Sequence, residues 1–171
     1  MVGLLGLAPA LSDGRMVLDA FTLADAEARL AGEDAEMRRR FDARAPATLE
    51  QTREAIRRWM AAGESDGPMR AYALRDQHGQ LMGGCEARST SEEVVEVSYW
   101  VFASFRGRGL ASRALRLLCG GIDDAGGARR IEAHIDADNL ASRRAAKRAG
   151  FIPIGEVRDK SLAGGELTRL L

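Results

Sequence analysis

The stretch "VEVSYWVFASFRGRGLASRAL", Val95 to Leu115, sets a β-prone apolar run against a loop of two glycines and two arginines, then against a helix-like run. Gly107 and Gly109 allow positive φ and let a backbone approach a ligand with no Cβ in the way. A strand feeding such a turn into a helix exposes several backbone N–H groups at the positive end of the helix dipole, an arrangement that holds phosphate. Arg106 and Arg108 add charge at the same place. A plain strand-to-helix turn with solvated arginines is the other reading of these residues.

Working outward, "LASRALRLLCGGI" from Leu110 reads as a helix, with Leu110, Ala114, Leu117 and Leu118 on one face. "RRIEAHID" (Arg129 to Asp136) reads as a strand, and "NLASRRAAKRAG" as a helix with an alanine seam at 141, 145 and 149. "FIPIGEVRD" and "ELTRLL" read as closing strands. Upstream, "RMVLDAF" (Arg15 to Phe21) alternates as a strand, and Thr22 with Asp25 begins a helix over "LADAEARLA". "TLEQTREAIRRWMAAG" carries a capping box at Thr48 and Gln51, an apolar face of Leu49, Ile56 and Trp59, and a stop at Gly63. "MRAYALRD" and "QLMGGCEAR" flank a "DQHG" turn as a hairpin, with His78 in the turn and away from any chemistry. Strand, loop, helix, strand, helix, strand in the second half demands a partly parallel sheet with crossover helices, a mixed α/β architecture.

The 171 residues suit one domain. Lys+Arg and Asp+Glu both number 25, so bulk attraction to nucleic acid or an anionic membrane has no support, and anion binding has to be local. Cys85 and Cys119 stand far apart without a His/Cys cluster, which reads as two reduced, buried thiols and no metal site. The opening "MVGLLGLAPALSDGR" is apolar to Leu11 but lacks a basic n-region and is too short to span a bilayer. Residues 1–13 are therefore expected as a flexible arm, 14–171 as a single domain, and the cytoplasm as the compartment.

Two phosphate loops fail the test of spacing. No G-x-x-x-x-G-K-[ST] run exists, and Ser112 stands where G-x-G-x-x-G needs its third glycine, which disfavours a nucleotide-binding reading. "RGRGLA", Arg106 to Ala111, instead resembles the R/Q-x-x-G-x-G/A acyl-CoA pyrophosphate loop of the GCN5-related N-acetyltransferase (GNAT) superfamily. The 95–115 stretch is similar to the E-I-G-Y-W-L…R-G-x-G-x-A segment of RimJ/RimL-type acetyltransferases. "DADNLASRRAAKRAGF" resembles their N-x-x-S…G-F segment, with Asn139, Ser142, Gly150 and Phe151 in register. The resemblance is specific over Val94 to Phe151, weaker from Arg15 to Arg88, and absent for the first dozen residues.

The resemblance implies a GNAT fold: a twisted mixed sheet with splayed fourth and fifth strands, flanked by helices on both faces. Acetyl-CoA, the acyl donor, is expected in the splay. Its pantetheine arm would pair with Val101, Phe102 and Ala103, and its pyrophosphate would sit on Arg106, Gly107, Arg108, Gly109, Leu110, Ala111 and Ser112. Asn139 and Ser142 would also meet the cofactor. A backbone N–H at or near Val101 would polarise the thioester carbonyl.

Many relatives carry a tyrosine as acid four residues before the Gly-Phe pair; here that position is Ala146. Ser142 is the replacement the resemblance offers, against its alternative as a polar first-turn residue capped by Asn139. His134, with an unperturbed pKa near ~6.5, and Glu96 are the candidate bases. Either could equally be a satisfied strand residue. Glu96, Ser98 and Trp100 share one strand face.

The implied activity is transfer of acetyl directly to a primary amine, on a protein N-terminus or a small molecule. A catalytically idle CoA-binding module is the alternative. "GEDAEMRRRFDARAPA", Gly32 to Ala47, is expected along the acceptor side, and monomer and homodimer both stay open.

Overall fold

The computed structural model describes residue 4 and residues 6–65, 67–126, 128–160 and 166–170. Its strands are β1 (Leu11–Ser12), β2 (Met16–Asp19), β3 (Met69–Asp76), β4 (Leu81–Ser89), β5 (Val94–Val101), β6 (Arg130–Glu132), β7 (Ile135–Asp136), β8 (Glu156–Lys160) and β9 (Glu166–Leu170). The helices are α1 (Ala26–Ala31), α2 (Ala35–Arg40), α3 (Leu49–Glu64), α4 (Leu110–Ala125) and α5 (Leu140–Ala149). Strands β1 to β6 lie in chain order in a six-stranded sheet, antiparallel except for the parallel β5–β6 pair, and β7-β9-β8 form a second, antiparallel sheet. This is the expected GNAT-type mixed α/β architecture.

The stretch read as one strand, Arg129 to Asp136, is two. Arg130–Glu132 pairs with Val94–Glu96, then the chain breaks at Ala133 and His134, and Ile135–Asp136 joins β9. Beyond Glu96, β5 keeps β4 on one side and has no strand partner on the other among the described residues. These are the splayed fourth and fifth strands, counted without the short β1.

Side-chain alternation along β5 divides the core between two faces. Val95 and Val97 join Leu18, Tyr72, Cys85 and the α4 residues Leu115 and Leu118 on one. Trp100 joins Phe21, Ile56 and Ala73 on the other, under α1 and α3. Helix α3 begins as expected, with Thr48 Oγ1 accepting from Gln51 N–H and Gln51 Oε1 from Thr48 N–H. It runs through Gly63, however, and ends at Glu64.

Other expectations need correction. In α4 Leu115 is fully buried while Leu117 is only partly so, because the buried stripe centres near Leu118 and leaves Leu117 at its rim. In α5 Ala146 is the buried alanine and Ala141 is exposed, so the face turned inward is Ser142, Ala146 and Ala149. Cys85 is buried but Cys119 only half-buried; burial pushes the Cys119 thiol up to about 12, so neither thiol ionises near neutral pH.

The arm expected to be flexible is largely docked. Leu4 and Leu7 lie in the core, Leu11–Ser12 pairs with β2, and the Tyr72 hydroxyl donates to the Ala8 carbonyl at 2.7 Å. Arg113 of α4 reaches Asp13 at 2.6 Å. Leu4 and Leu7 join the same core cluster as Leu115 and Leu118 of α4, and Leu7 and Leu11 lie against Gly121 of that helix. Residues 1–3 and 5 of the arm, and Leu171 of the last strand, lie outside the described residues. Among the described residues no helix is long and apolar enough to cross a membrane, and no His, Cys, Asp and Glu side chains group as metal ligands.

Candidate active site

The splay opens into a cleft of about 770 Å³, within the range of small-molecule and cofactor sites. One wall is the start of α4 with α5, the other comes from α1, α2 and α3, and β5 with Ala133–Asp136 forms the floor.

Gly107 (φ 78°) and Gly109 (φ 74°, ψ 7°) both take the left-handed conformation, and a Cβ at either would meet nothing within 4 Å. The glycines are therefore there for backbone direction rather than for want of space. The first helical N–H with a backbone acceptor is that of Arg113, on Gly109. The N–H groups of residues 107–112 have no partner among the described residues. Of these, Gly107, Gly109, Leu110, Ala111 and Ser112 line the cleft, at the positive end of a 16-residue helix. Ser112 N–H is free because it lies in the first turn of α4, and the Ser112 hydroxyl donates to the Gly109 carbonyl at 2.9 Å.

The two loop arginines are not free charges. Arg106 donates through Nε to the Val101 carbonyl at 2.9 Å and binds Asp34 with both terminal nitrogens, at 2.6 and 3.0 Å. Asp34 also caps α2 by accepting from Met37 N–H, so Arg106 straps the glycine loop to the opposite wall. That guanidinium holds the Asp34 carboxyl below its usual range. Arg108 donates to the Ser104 carbonyl at 3.0 Å, lies over the Phe105 ring, and stands outside the cleft.

Hydrogen-bond alternation corrects the expected run Val101 to Ala103. Phe102 N–H goes to the Met82 carbonyl on the β4 side, which turns the amides of Val97, Tyr99 and Val101 to the open edge. Phe102 is buried in the core and Ala103 starts a 3₁₀ turn, and neither lines the cleft. The available edge precedes Trp100 as much as it follows it. The Trp100 ring rests on Gly84, where a Cβ would come within 2.4 Å of the indole.

Glu96 and His134, proposed as bases from different strands, do meet in the cleft. His134 Nδ1 is 3.7 Å from Glu96 Oε1, and His134 Nε2 is 3.3 Å from Glu132 Oε2. All three side chains are largely shielded from solvent. Asn139 caps α5 by accepting from Ser142 N–H at 3.1 Å, as expected, and Ser142 still lines the cleft. His78 is exposed in its turn.

Sequence reasoning passed over Tyr99. Its hydroxyl lies 2.9 Å from Ser142 Oγ and donates to the Ser142 carbonyl at 3.0 Å. Burial raises its phenol pKa, and the bond to Ser142 opposes that rise. The signal was available: on β5 Tyr99 points opposite to Glu96 and Trp100, toward the face that α5 covers. Also passed over was an aromatic wall. Trp59 and Trp100 stack at 5.7 Å, and half-exposed Phe41 meets Trp100 edge-on at 5.8 Å. Arg29 of α1 lies over Trp100.

The solved structure of the microcin C7 self-immunity acetyltransferase MccE, in complex with acetyl-CoA and AMP, matches with a TM-score of 0.83 over 96% of each chain at 18% identity. RimL, the ribosomal L7/L12 alpha-N-protein acetyltransferase in complex with coenzyme A, matches with a TM-score of 0.82 over 94% of this chain and 95% of that one at 19% identity. A GNAT-family acetyltransferase from Bacillus anthracis gives 0.80 over 94% and 95% at 18% identity. At such identities the likeness is one of fold. A comparison with curated protein sequences gives no match. The model of the acetyltransferase (GNAT) domain matches residues 15–152, which takes in strands β2 to β7, the glycine loop and both helices of its wall, and the chain therefore belongs to the GNAT family of acetyltransferases.

Proposed function

We propose that this acetyl-CoA-dependent N-acetyltransferase acts on a primary α-amine, of a protein N-terminus or of a small molecule, by direct transfer within the cleft. The observation that carries the reading is the meeting of three devices in one cavity: the free amides of 107–112, the Glu96–His134 pair, and the Ser142–Tyr99 pair. The cosubstrate brings a thioester, an acyl group already activated toward amines. The loop amides hold its pyrophosphate, and the cleft-facing N–H of Val101 donates to the carbonyl oxygen as negative charge grows there. Glu96 and His134 take the proton from the incoming ammonium, directly or through water. The departing thiolate takes the proton that the amine nitrogen loses as the tetrahedral intermediate collapses, and the Ser142 hydroxyl, held at rest by Tyr99, turns to donate a hydrogen bond to the sulfur. RimL is named as an alpha-N-protein acetyltransferase, which agrees with an α-amine acceptor.

Ala146, buried where many relatives carry an acidic tyrosine, favours the second reading, a CoA-binding module without turnover. Thiol release from acetyl-CoA across an amine panel separates the two. Ser142→Ala and Tyr99→Phe are expected to lower kcat at least about tenfold while the acetyl-CoA KM stays within a few-fold. Equal loss of CoA affinity and turnover would make the pair a cofactor contact. CoA binding with no thiol release from any amine would establish the idle module.

A further inference from the structure

Arg29 is short of a counter-charge. Its side chain is only 18% exposed, and its Cζ lies 5.6 Å from the Trp100 ring centroid on the α1–α3 side of the cleft. Its Nε is buried without a hydrogen-bond partner, as is Trp100 Nε1. The nearest carboxylate oxygen, Glu33 Oε2, stands 4.0 Å from Arg29 Nη1, a long ion pair without a hydrogen bond, while Glu33 Oε1 accepts from Arg38 and from Ala47 N–H at 3.4 and 3.2 Å.

The neighbouring arginines differ. Arg40 is held by Glu36, Asp136 and Asp138, Arg88 by Glu86, and Arg106 by Asp34. Among the described arginines that line the cleft from α1, α2, β4 and the glycine loop, Arg29 alone has no carboxylate within hydrogen-bond distance. A shielded cation normally has a partner, because desolvating an unpaired charge is costly. A guanidinium keeps its charge and presents a planar fork suited to carboxylate or phosphate.

Position limits what could supply that partner. Trp100, beneath Arg29, precedes Val101, whose N–H faces the acetyl-transfer edge, and one residue along a strand is about 3.3 Å. The surface between is aromatic, with Trp59 stacked on Trp100 and Phe41 at its edge.

We propose that Arg29 forms an oxyanion subsite for the acceptor, so that the favoured substrates are small amines bearing a carboxylate or phosphate within a few bonds of the nitrogen and an apolar body against Trp59 and Phe41. The assignment rests on the cleft being the transfer site proposed above, and it adds the substrate class.

Two measurements test it. The chain's two tryptophans, Trp59 and Trp100, both line the cleft, so their fluorescence reports binding without any turnover. Titration with 3-phenylpropionate is expected to give an affinity at least about tenfold above that of 3-phenylpropionamide. That gap closes in Arg29→Gln and is partly kept in Arg29→Lys, with CoA affinity and melting temperature held as fold controls. In the second, KM is measured for phenylalanine against phenylalaninamide and for O-phosphoethanolamine against ethanolamine. Comparing the ratios between wild type and Arg29→Gln cancels the differing basicity of the amines, and the pair with the larger change distinguishes carboxylate from phosphate. Equal binding of acid and amide by the wild-type protein overturns the subsite, even if every amine is acetylated. Acid preference without thiol release sustains the subsite and removes the transfer reading. Should Arg29→Gln fail to fold, the wild-type comparison and Arg29→Lys decide.

Discussion

Replacing Gly109 by alanine isolates the contribution of backbone conformation to cosubstrate binding. Gly109 sits at φ 74°, ψ 7°, and an added Cβ would meet nothing within 4 Å, so Gly109→Ala introduces no clash. Its cost is the left-handed conformation itself, roughly 1–2 kcal/mol for a residue with a Cβ. If the loop escapes that strain by leaving the conformation, the fraction of molecules with correctly aimed amides falls by about 5- to 30-fold. Apparent affinity falls by the same fraction, since only that state binds. The acetyl-CoA KM is expected to rise by that factor, with kcat at saturation near its wild-type value. Thiol release at saturating amine measures it, with a thermal melt alongside. Gly120→Ala is the control: Gly120 is exposed within α4 with an equally open Cβ and no positive φ, so stability should hold or rise by up to about 1 kcal/mol and KM should not move. A folded Gly109→Ala variant with an acetyl-CoA KM within twofold of wild type would refute the amide cradle.

Two further outcomes are expected. Asp25 is pushed up by burial but held below its ordinary range overall by the paired hydrogen bonds from Arg75, at 2.7 and 2.8 Å, and by Thr22 N–H. A depressed folded pKa contributes stability above the unfolded value near ~3.9 and loses it as pH falls through the folded one. Asp25→Asn should therefore cost about 3 kcal/mol at pH 7 and flatten the acid limb of a melting-temperature series, and an unaltered acid limb would contradict the assignment. At pH 7 fewer than about one lysine ε-amine in a thousand is neutral, against roughly a tenth of α-amines. Peptide and small-molecule α-amines should thus outpace ε-amines at pH 7, with the gap narrowing as pH rises; equal rates at pH 7 would mean that pocket geometry governs instead.

Local chemistry was legible in the chain and long-range partnership was not. The capping box at Thr48, the hairpin around "DQHG" and the glycine turn before Leu110 depend on residues a few positions apart, and each is found where the pattern puts it. The break at Ala133 and His134 depends on which strand each half pairs with, and alternation of side chains is blind to that. In α4, adjacent residues are about 100° apart, so Leu115 and Leu117 could exchange places at the rim until the sheet's position was known. Glu96 and His134 were singled out separately, but their proximity follows from the parallel β5–β6 register. The Arg106–Asp34 strap spans 72 residues and the Tyr99–Ser142 bond 43, beyond the reach of spacing arguments. The N-terminal leucines at 4, 7 and 11 carry a helical spacing that the structure does not use as a helix, since Leu11 lies in β1 and Leu4 and Leu7 reach the core from irregular chain.

The divergence of β5 from β6 also bears on self-association. An open sheet margin is a template on which another chain can add, and proteins guard such margins with charges, bulges or cover. Here the margin at Val97–Val101 is guarded by depth: it lies on the floor of a cleft between the α4–α5 wall and the α1–α3 wall. A second sheet is too broad to reach it. Only a slender, extended molecule can, so the concavity that admits a narrow substrate arm also withholds the same hydrogen-bonding groups from other copies of the chain.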